Sequence, residues 1–357
     1  VYPAIVDRHA GPTDVPAPPT HSDYLRAPRF ASIDGLRCLA VIPVVWHHAT
    51  PRPLSGVLGR GPLGVDLFFV ISGYLITTLL LRERRAFGSV SVGRFYARRS
   101  LRIFPAYYVV LGLTALRAIS WMPHGATRDH FLANLPYWAT YSANWFVDFD
   151  VGYPVAFAFA WSLATEEQFY AVWPWLARAP RWVMPAVATA LLALHEGMLR
   201  GCFGADWPPL GRRMIASLAP GICMGALLAC ALDARRGFAA FAHAIGARIA
   251  APIAFLVLVV VVANGRAPFL AVVATMTLLV GACVVRADHG MRSVFEARPL
   301  RFVASISYEL YLVHVAVITA VRRLAPDALA TDAPFVFTVG LGLAIPLAYG
   351  LHCLVGR

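Results

Sequence analysis

Ten apolar stretches follow one another along this chain, near residues 36–50, 63–81, 103–121, 155–177, 182–197, 214–232, 249–264, 267–285, 303–321 and 334–355. Each is close to the ~20 residues an α-helix needs to cross the hydrocarbon layer. The pattern predicts an all-α integral membrane protein of about ten transmembrane helices. No polar stretch between the spans is long enough for a separate soluble unit, so residues 33–357 read as one transmembrane domain. Residues 1–32 are rich in Pro and polar side chains and lack an apolar core before the first span. They read as a disordered cytoplasmic tail rather than a cleavable signal sequence. No internal repeat is evident, which argues against the inverted-repeat transporters.

Composition supports the membrane reading. Of the 357 residues 59% are hydrophobic and 14% charged, against about 25% charged in ordinary soluble proteins. The formal charge of +12 would suit a nucleic-acid ligand, but the basic residues, all arginine, are spread over the loops between spans. Their distribution reads as topology. The densest group, Arg82, Arg84, Arg85, Arg94, Arg98, Arg99 and Arg102, lies between the second and third spans and assigns that loop to the cytoplasm by the positive-inside rule. Both termini then face the cytoplasm. Arg200, Arg212, Arg213, Arg322 and Arg323 fall on the other side, so the bias is not clean. The six cysteines are scattered without CxxC spacing, and neither a metal site nor a disulfide framework is expected.

Several polar residues interrupt the apolar stretches, where each is costly and by default functional. In IDGLRCLAVIPVVWHH, residues 33–48, Arg37 and His48 are eleven positions apart. On a helix that is three turns, which puts them on nearly one face roughly 16 Å apart, with His47 about 80° away. Pro43 lies between them and can bend the helix. Glu166 and Glu167 stand inside an apolar run and need partners or protons. Residues 122–154 interleave aromatics with Asn and Asp, Asn144 and Trp145 among them. That composition suits a membrane-interface belt or a platform that stacks on sugar rings.

Five segments in order, IDGLRCLAVIPVVWHH (33–48), GVDLFFVISGYLIT (64–77), RFYARRSLRIFPAYY (94–108), WSLATEEQFYAVWP (161–174) and ISYELYLVH (306–314), resemble the membrane acyltransferase-3 family. Its members are O-acetyltransferases of O-antigen, capsule, peptidoglycan and Nod factor, and some macrolide acyltransferases. The resemblance implies a multi-pass enzyme of the bacterial inner membrane. It would move an acyl group, typically acetyl, from cytoplasmic acyl-CoA to a hydroxyl of a carbohydrate, glycolipid or macrolide-like acceptor, without a metal.

The family's R-x10-H motif selects Arg37 and His48, and implies that His48 is the general base for the acceptor hydroxyl. Its RxxR motif matches Arg99 and Arg102, which with Arg37 would hold the coenzyme A phosphates through guanidinium forks. Its WSLxxEEQFY pattern makes Glu166 a lining residue of the reaction site, while Glu167 is expected to pair with an arginine. Asp66 in the second segment is either the carboxylate that orients His48 or a helix N-cap. Acceptor contacts are expected from Asn144, Trp145, Trp161 and Tyr170. Ser72 and Gly73 either let helices approach closely or touch substrate. His314 in ISYELYLVH is expected to pack or to orient. Where many relatives carry a histidine two positions before the tryptophan, this chain has Phe159. A proton-coupled transporter or flippase is the rival reading, with His48, Asp66, Glu166, Glu309 and His314 as a relay. It leaves RxxR and the Arg37–His48 spacing without a purpose.

Overall fold

The computed structural model describes residues 18–50, 56–203 and 207–355. They form helices α1 (His21–Arg26), α2 (Ser32–Ala49), α3 (Leu63–Phe87), α4 (Val92–Ser120), α5 (Ala126–Ala133), α6 (Leu135–Ala139) and α7 (Ala143–Phe146). After these come α8 (Ala160–Leu176), α9 (Val183–Leu199), α10 (Pro209–Ala216), α11 (Pro220–Asp233), α12 (Arg235–Ile245), α13 (Ala250–Ala263) and α14 (Phe269–Val285). The last are α15 (Arg292–Phe295), α16 (Arg298–Ser305), α17 (Ser307–Leu324), α18 (Asp327–Ala330) and α19 (Ala333–Val355). Every predicted apolar stretch holds a helix, and among the described residues there is no strand. Three helices, α3, α4 and α19, are long and apolar enough to cross a membrane alone. The number rises to six if the bent pairs α10–α11, α12–α13 and α16–α17, with breaks of 48°, 76° and 75°, each count as one span.

The reading of residues 1–32 as a disordered tail is corrected for residues 18–32, while residues 1–17 lie outside the described residues. Thr20 caps α1, and Tyr24 on that helix is buried against Phe30 and Phe238, with its hydroxyl 3.2 Å from that of Tyr74. An aromatic cluster thus fixes a segment whose composition alone looked too polar to fold.

The centre of the bundle is α3, whose most extensive partner is α11. Three glycines let these helices meet backbone to backbone. A Cβ on Gly73 would stand 2.0 Å from the Ile222 carbonyl oxygen, one on Gly225 2.1 Å from that of Val70, and one on Gly221 2.8 Å from that of Asp66. Gly221 and Gly225 form a GxxxG pair, the spacing that brings two membrane helices into close contact. Of the two readings of the Ser72–Gly73 pair, Gly73 takes the packing one. The opposite face of α3 is left to line the interior.

The arginine cluster is more than a charged flank. Arg82 donates to the carbonyls of Ala27 and Tyr24 and lies over the Phe30 ring. Arg84 donates to the carbonyls of Ala177 and Ala179, just past the end of α8, and Arg85 pairs with Asp233 at the end of α11. Cations at helix C-termini meet carbonyls that have no partner within their own helix. The end of α3 is thereby fastened to three other segments.

The glycine contact gives a paired stability prediction. Gly225→Ala forces a methyl group into rigid backbone and is expected to lower the thermal midpoint in detergent, at about 1–3 kcal/mol. Gly112→Ala, in α4 with nothing near its Cβ, is expected to leave the midpoint unchanged or raise it slightly, as Ala favours helix by ~1 kcal/mol. Equal midpoints for the two variants would contradict the backbone contact.

Candidate active site

All five motif segments supply walls to one interior cavity of about 170 Å³. Arg37 comes from α2, Ser72 from α3, Arg99 and Arg102 from α4, Glu166 and Glu167 from α8, and Tyr308 and Tyr311 from α17. On α3 the lining residues run from Val65 through Phe69, Ser72, Leu75 and Ile76 to Leu79. This is the i, i+3, i+4 repeat of one helical face, and at 1.5 Å per residue it covers about 21 Å. The cavity is therefore elongated along the bundle. Arg99 and Arg102, three residues apart, share a face of α4 as their spacing predicted, and both reach it.

The polar groups in this cavity are joined into a directed chain. Arg99 donates to the Tyr170 hydroxyl and lies 4.1 Å from the centre of that ring. Tyr170 donates to Ser72 Oγ at 3.1 Å, and Ser72 donates to Glu166 Oε1 at 2.6 Å. Each hydroxyl accepts from the cationic side and gives to the anionic side, an order in which hydrogen bonds reinforce one another. Ser72 thus takes a polar role, in contrast to its neighbour Gly73. Tyr170, expected to contact acceptor, is buried at 2% exposure as the middle of this chain.

The arginines differ in how they are paired. Neither Arg37 nor Arg102 has a hydrogen-bond or ion-pair partner among the described residues, and Arg99 keeps a buried Nε without one. Arg37, Arg102 and Tyr308 also wall a second cavity with Leu101, Ser305, Glu309 and His352. There the buried Glu309 carboxylate accepts from His352 Nδ1 at 2.9 Å. His352 escaped the reading of the sequence, although a histidine inside the last apolar stretch is the same kind of signal that exposed His48. Glu167 lines the main cavity, but no arginine lies within ion-pair distance of it among the described residues.

His48 stands beyond one end of the main cavity. Helix α2 continues through Pro43 without a break and carries both Arg37 and His48. Gly61 abuts Pro43 and His47, and Gly64 abuts Ala40, so α2 and α3 run antiparallel. That register puts Asp66 nearer the level of Arg37 than of His48. Asp66 is not the N-cap of α3 either, since that position is Pro62. The partner that His48 meets is another imidazole. Its Nδ1 is 3.3 Å from His314 Nε2, and the ring centres are 4.8 Å apart. His314 in turn adjoins Tyr311, whose hydroxyl lies 2.8 Å from Ser162 Oγ at the wall of the cavity. The Phe159 ring, where many relatives have histidine, is 6.0 Å from that of His314.

The expected acceptor contacts are divided. Asn144 is buried, and its amide exchanges hydrogen bonds with Gln168 at 3.0 and 2.8 Å and donates to Thr165 at 3.2 Å. Gln168 also donates to the Tyr141 carbonyl, holding a backbone with φ of 51°, a region that favours glycine. Trp145 donates to Ser217. These groups fasten the segment after α4 to α8 and to the end of α10. Trp161 is 38% exposed and meets Phe69, a cavity residue, edge to face. Among the described residues no cluster of His, Cys, Asp and Glu could hold a metal.

Comparison with known proteins sets this geometry in context. A family model described as an acyltransferase domain matches residues 30–353. The peptidoglycan O-acetyltransferase OatA of Listeria monocytogenes serovar 1/2a is 29% identical over 322 residues, which are 81% of this chain and 49% of the relative. The Bacillus subtilis strain 168 protein named "Putative peptidoglycan O-acetyltransferase YrhL" is 29% identical over 315 residues, 80% of this chain and 48% of the relative. The chain spans about half the length of these curated relatives. No solved structure matches it.

The directed chain makes Ser72 testable. Ser72→Ala leaves the Glu166 carboxylate and the Tyr170 hydroxyl without their mutual link. It is expected to cost about 1–3 kcal/mol, read as a lower thermal midpoint in detergent. Ser72→Thr keeps the hydroxyl and should retain most of the midpoint. A Ser72→Ala protein as stable as the native one would remove the link from the account.

Proposed function

Because the chain belongs to the acyltransferase-3 family, we propose that it is an O-acetyltransferase that takes its acyl group from acetyl-CoA on the cytoplasmic side. The acceptor in this reading is a carbohydrate hydroxyl on the other side of the bacterial inner membrane, peptidoglycan being the one in the names of its relatives. The ten apolar helices act as ten spans with both termini in the cytoplasm. The observation that carries the reading is the state of the arginines: Arg82, Arg84 and Arg85 are engaged with carbonyls or a carboxylate, while Arg37 and Arg102 face the cavities without such partners among the described residues. Unengaged guanidinium groups in a desolvated cavity favour an anion, and phosphate oxygens match their geometry.

The donor lies with its phosphates at Arg37, Arg99 and Arg102, and its arm extends along α3 toward Ser162 and Tyr311. The acceptor approaches His48 from the opposite side. His48 takes the proton of the acceptor hydroxyl as its oxygen attacks the thioester carbonyl. The C–O bond forms and the C–S bond breaks. The departing thiolate receives the proton from His48, so the products are the O-acetyl ester and the coenzyme A thiol. Glu166, at the anionic end of the chain from Arg99, polarises the site without exchanging a proton with solvent.

Two measurements test this reading. The purified chain is expected to release thiol from acetyl-CoA in the presence of a pentamer of N-acetylglucosamine, and His48→Ala to lower that rate about 10²-fold or more without changing the thermal midpoint. Arg37→Ala and Arg102→Ala are expected to raise KM for acetyl-CoA by about tenfold each, with a smaller effect of added salt than in the native protein. A chain that neither binds coenzyme A nor cleaves the thioester would favour the transporter reading.

A further inference from the structure

We infer that His314 is the positioning residue that holds His48 in its working tautomer and supports its charge during the reaction. This rests on His48 being the base. The hydrogen-bond partners assign the protons. His314 Nδ1 lies 2.7 Å from the carbonyl oxygen of Tyr311, which can only accept, so Nδ1 carries the hydrogen. A neutral imidazole has one N–H, so Nε2 of His314 bears a lone pair. That lone pair faces His48 Nδ1 at 3.3 Å.

His48 Nδ1 also faces the Val44 carbonyl at 2.9 Å. These two neighbours are acceptors, and Nδ1–H is the form that satisfies them. The basic lone pair of His48 is then on Nε2. The two rings are fixed in the same way, each bonded through Nδ1 to a carbonyl one turn back on its own helix, and the contact between them ties α2 to α17. Each ring is thus held by its own helix and by the other.

The arrangement supplies what a carboxylate does in a catalytic triad, which is to set tautomer and ring angle and accept from the imidazolium. It does so without an anion. His314 is 0% exposed, and a carboxylate at that depth would have to be paired or protonated. A neutral imidazole already donating to a carbonyl carries no such penalty. Among the described residues the titratable groups adjoining the pair are His47 on α2 and Tyr311 on α17.

Three variants of the full chain in detergent test the inference with acetyl-CoA and a pentamer of N-acetylglucosamine. His314→Leu removes the acceptor and is expected to lower kcat at least about tenfold with KM for acetyl-CoA within about twofold. His314→Gln can place its amide oxygen where Nε2 stands, and is expected to recover most of that kcat. Nitrogen-15 spectra of histidine-labelled protein, with His48 identified through His48→Ala, are expected to find the His48 proton on Nδ1. Native kcat in His314→Leu, equal losses in the Leu and Gln variants, or a proton on His48 Nε2 would overturn the inference. His48→Ala separates the two levels: if it is inactive while any of those results is found, this inference alone fails, and if it keeps native kcat the base reading itself is wrong.

Discussion

The constraint on which the rest of this structure depends is that ionised and polar groups in an apolar bundle must be connected or be given a ligand. Glu166 and Arg99 stand on different helices, and they are joined through Tyr170 and Ser72 in a line in which every hydroxyl both accepts and donates. Left unmade, each of these groups would cost its full desolvation penalty. The chain therefore couples α3, α4 and α8 at the wall of the cavity. It also leaves the Arg99 Nε turned toward no protein group among those described.

Close packing on one face of α3 makes room on the other. Gly73, Gly221 and Gly225 let α11 approach to backbone contact, so α3 is gripped from behind and needs little side-chain bulk there. Its opposite face can then be given over to the residues from Val65 to Leu79 that line the cavity. Arg82, Arg84 and Arg85 fasten the far end of the same helix to α1, α8 and α11. The two classes of arginine follow from this. Those that hold helices together are engaged with carbonyls and carboxylates, whereas on the cavity walls Arg99 bonds Tyr170 and, among the described residues, Arg37 and Arg102 have no hydrogen-bond or ion-pair partner.

Arg37 and His48 are set apart in space. Arg37 and His48 share one helix, yet the arginine opens into the cavity whereas the histidine lies past its end, behind Tyr311 and His314. Such a separation suits a reaction whose two substrates arrive from opposite sides of a membrane. It also puts the imidazole pair between the two, because His314 adjoins Tyr311 at the cavity wall and meets His48 through Nε2. The bend of 75° between α16 and α17 puts Ser307 and Tyr308 at that wall by letting the helix start inside the bundle.

By itself the sequence determined the class of fold, the helices and the residues to watch. Apolar length and helical period are local properties, so the ten stretches, the Arg37–His48 spacing and the shared face of Arg99 and Arg102 were legible without coordinates. Residues 18–32 were misread because their order comes from Tyr24 packing on Phe238, more than two hundred residues away. Tertiary structure alone decided the partners. Asp66 was the carboxylate that the second motif offered as a partner for His48, but the antiparallel register puts it nearer the level of Arg37, and the imidazole of His314 from α17 lies beside His48 instead. Likewise Ser72 and Gly73 are neighbours in sequence with opposite duties, one bonded to Glu166 and one pressed on Ile222. A helix turns each residue about 100° from the last, and which face meets which neighbour is fixed only when the bundle closes.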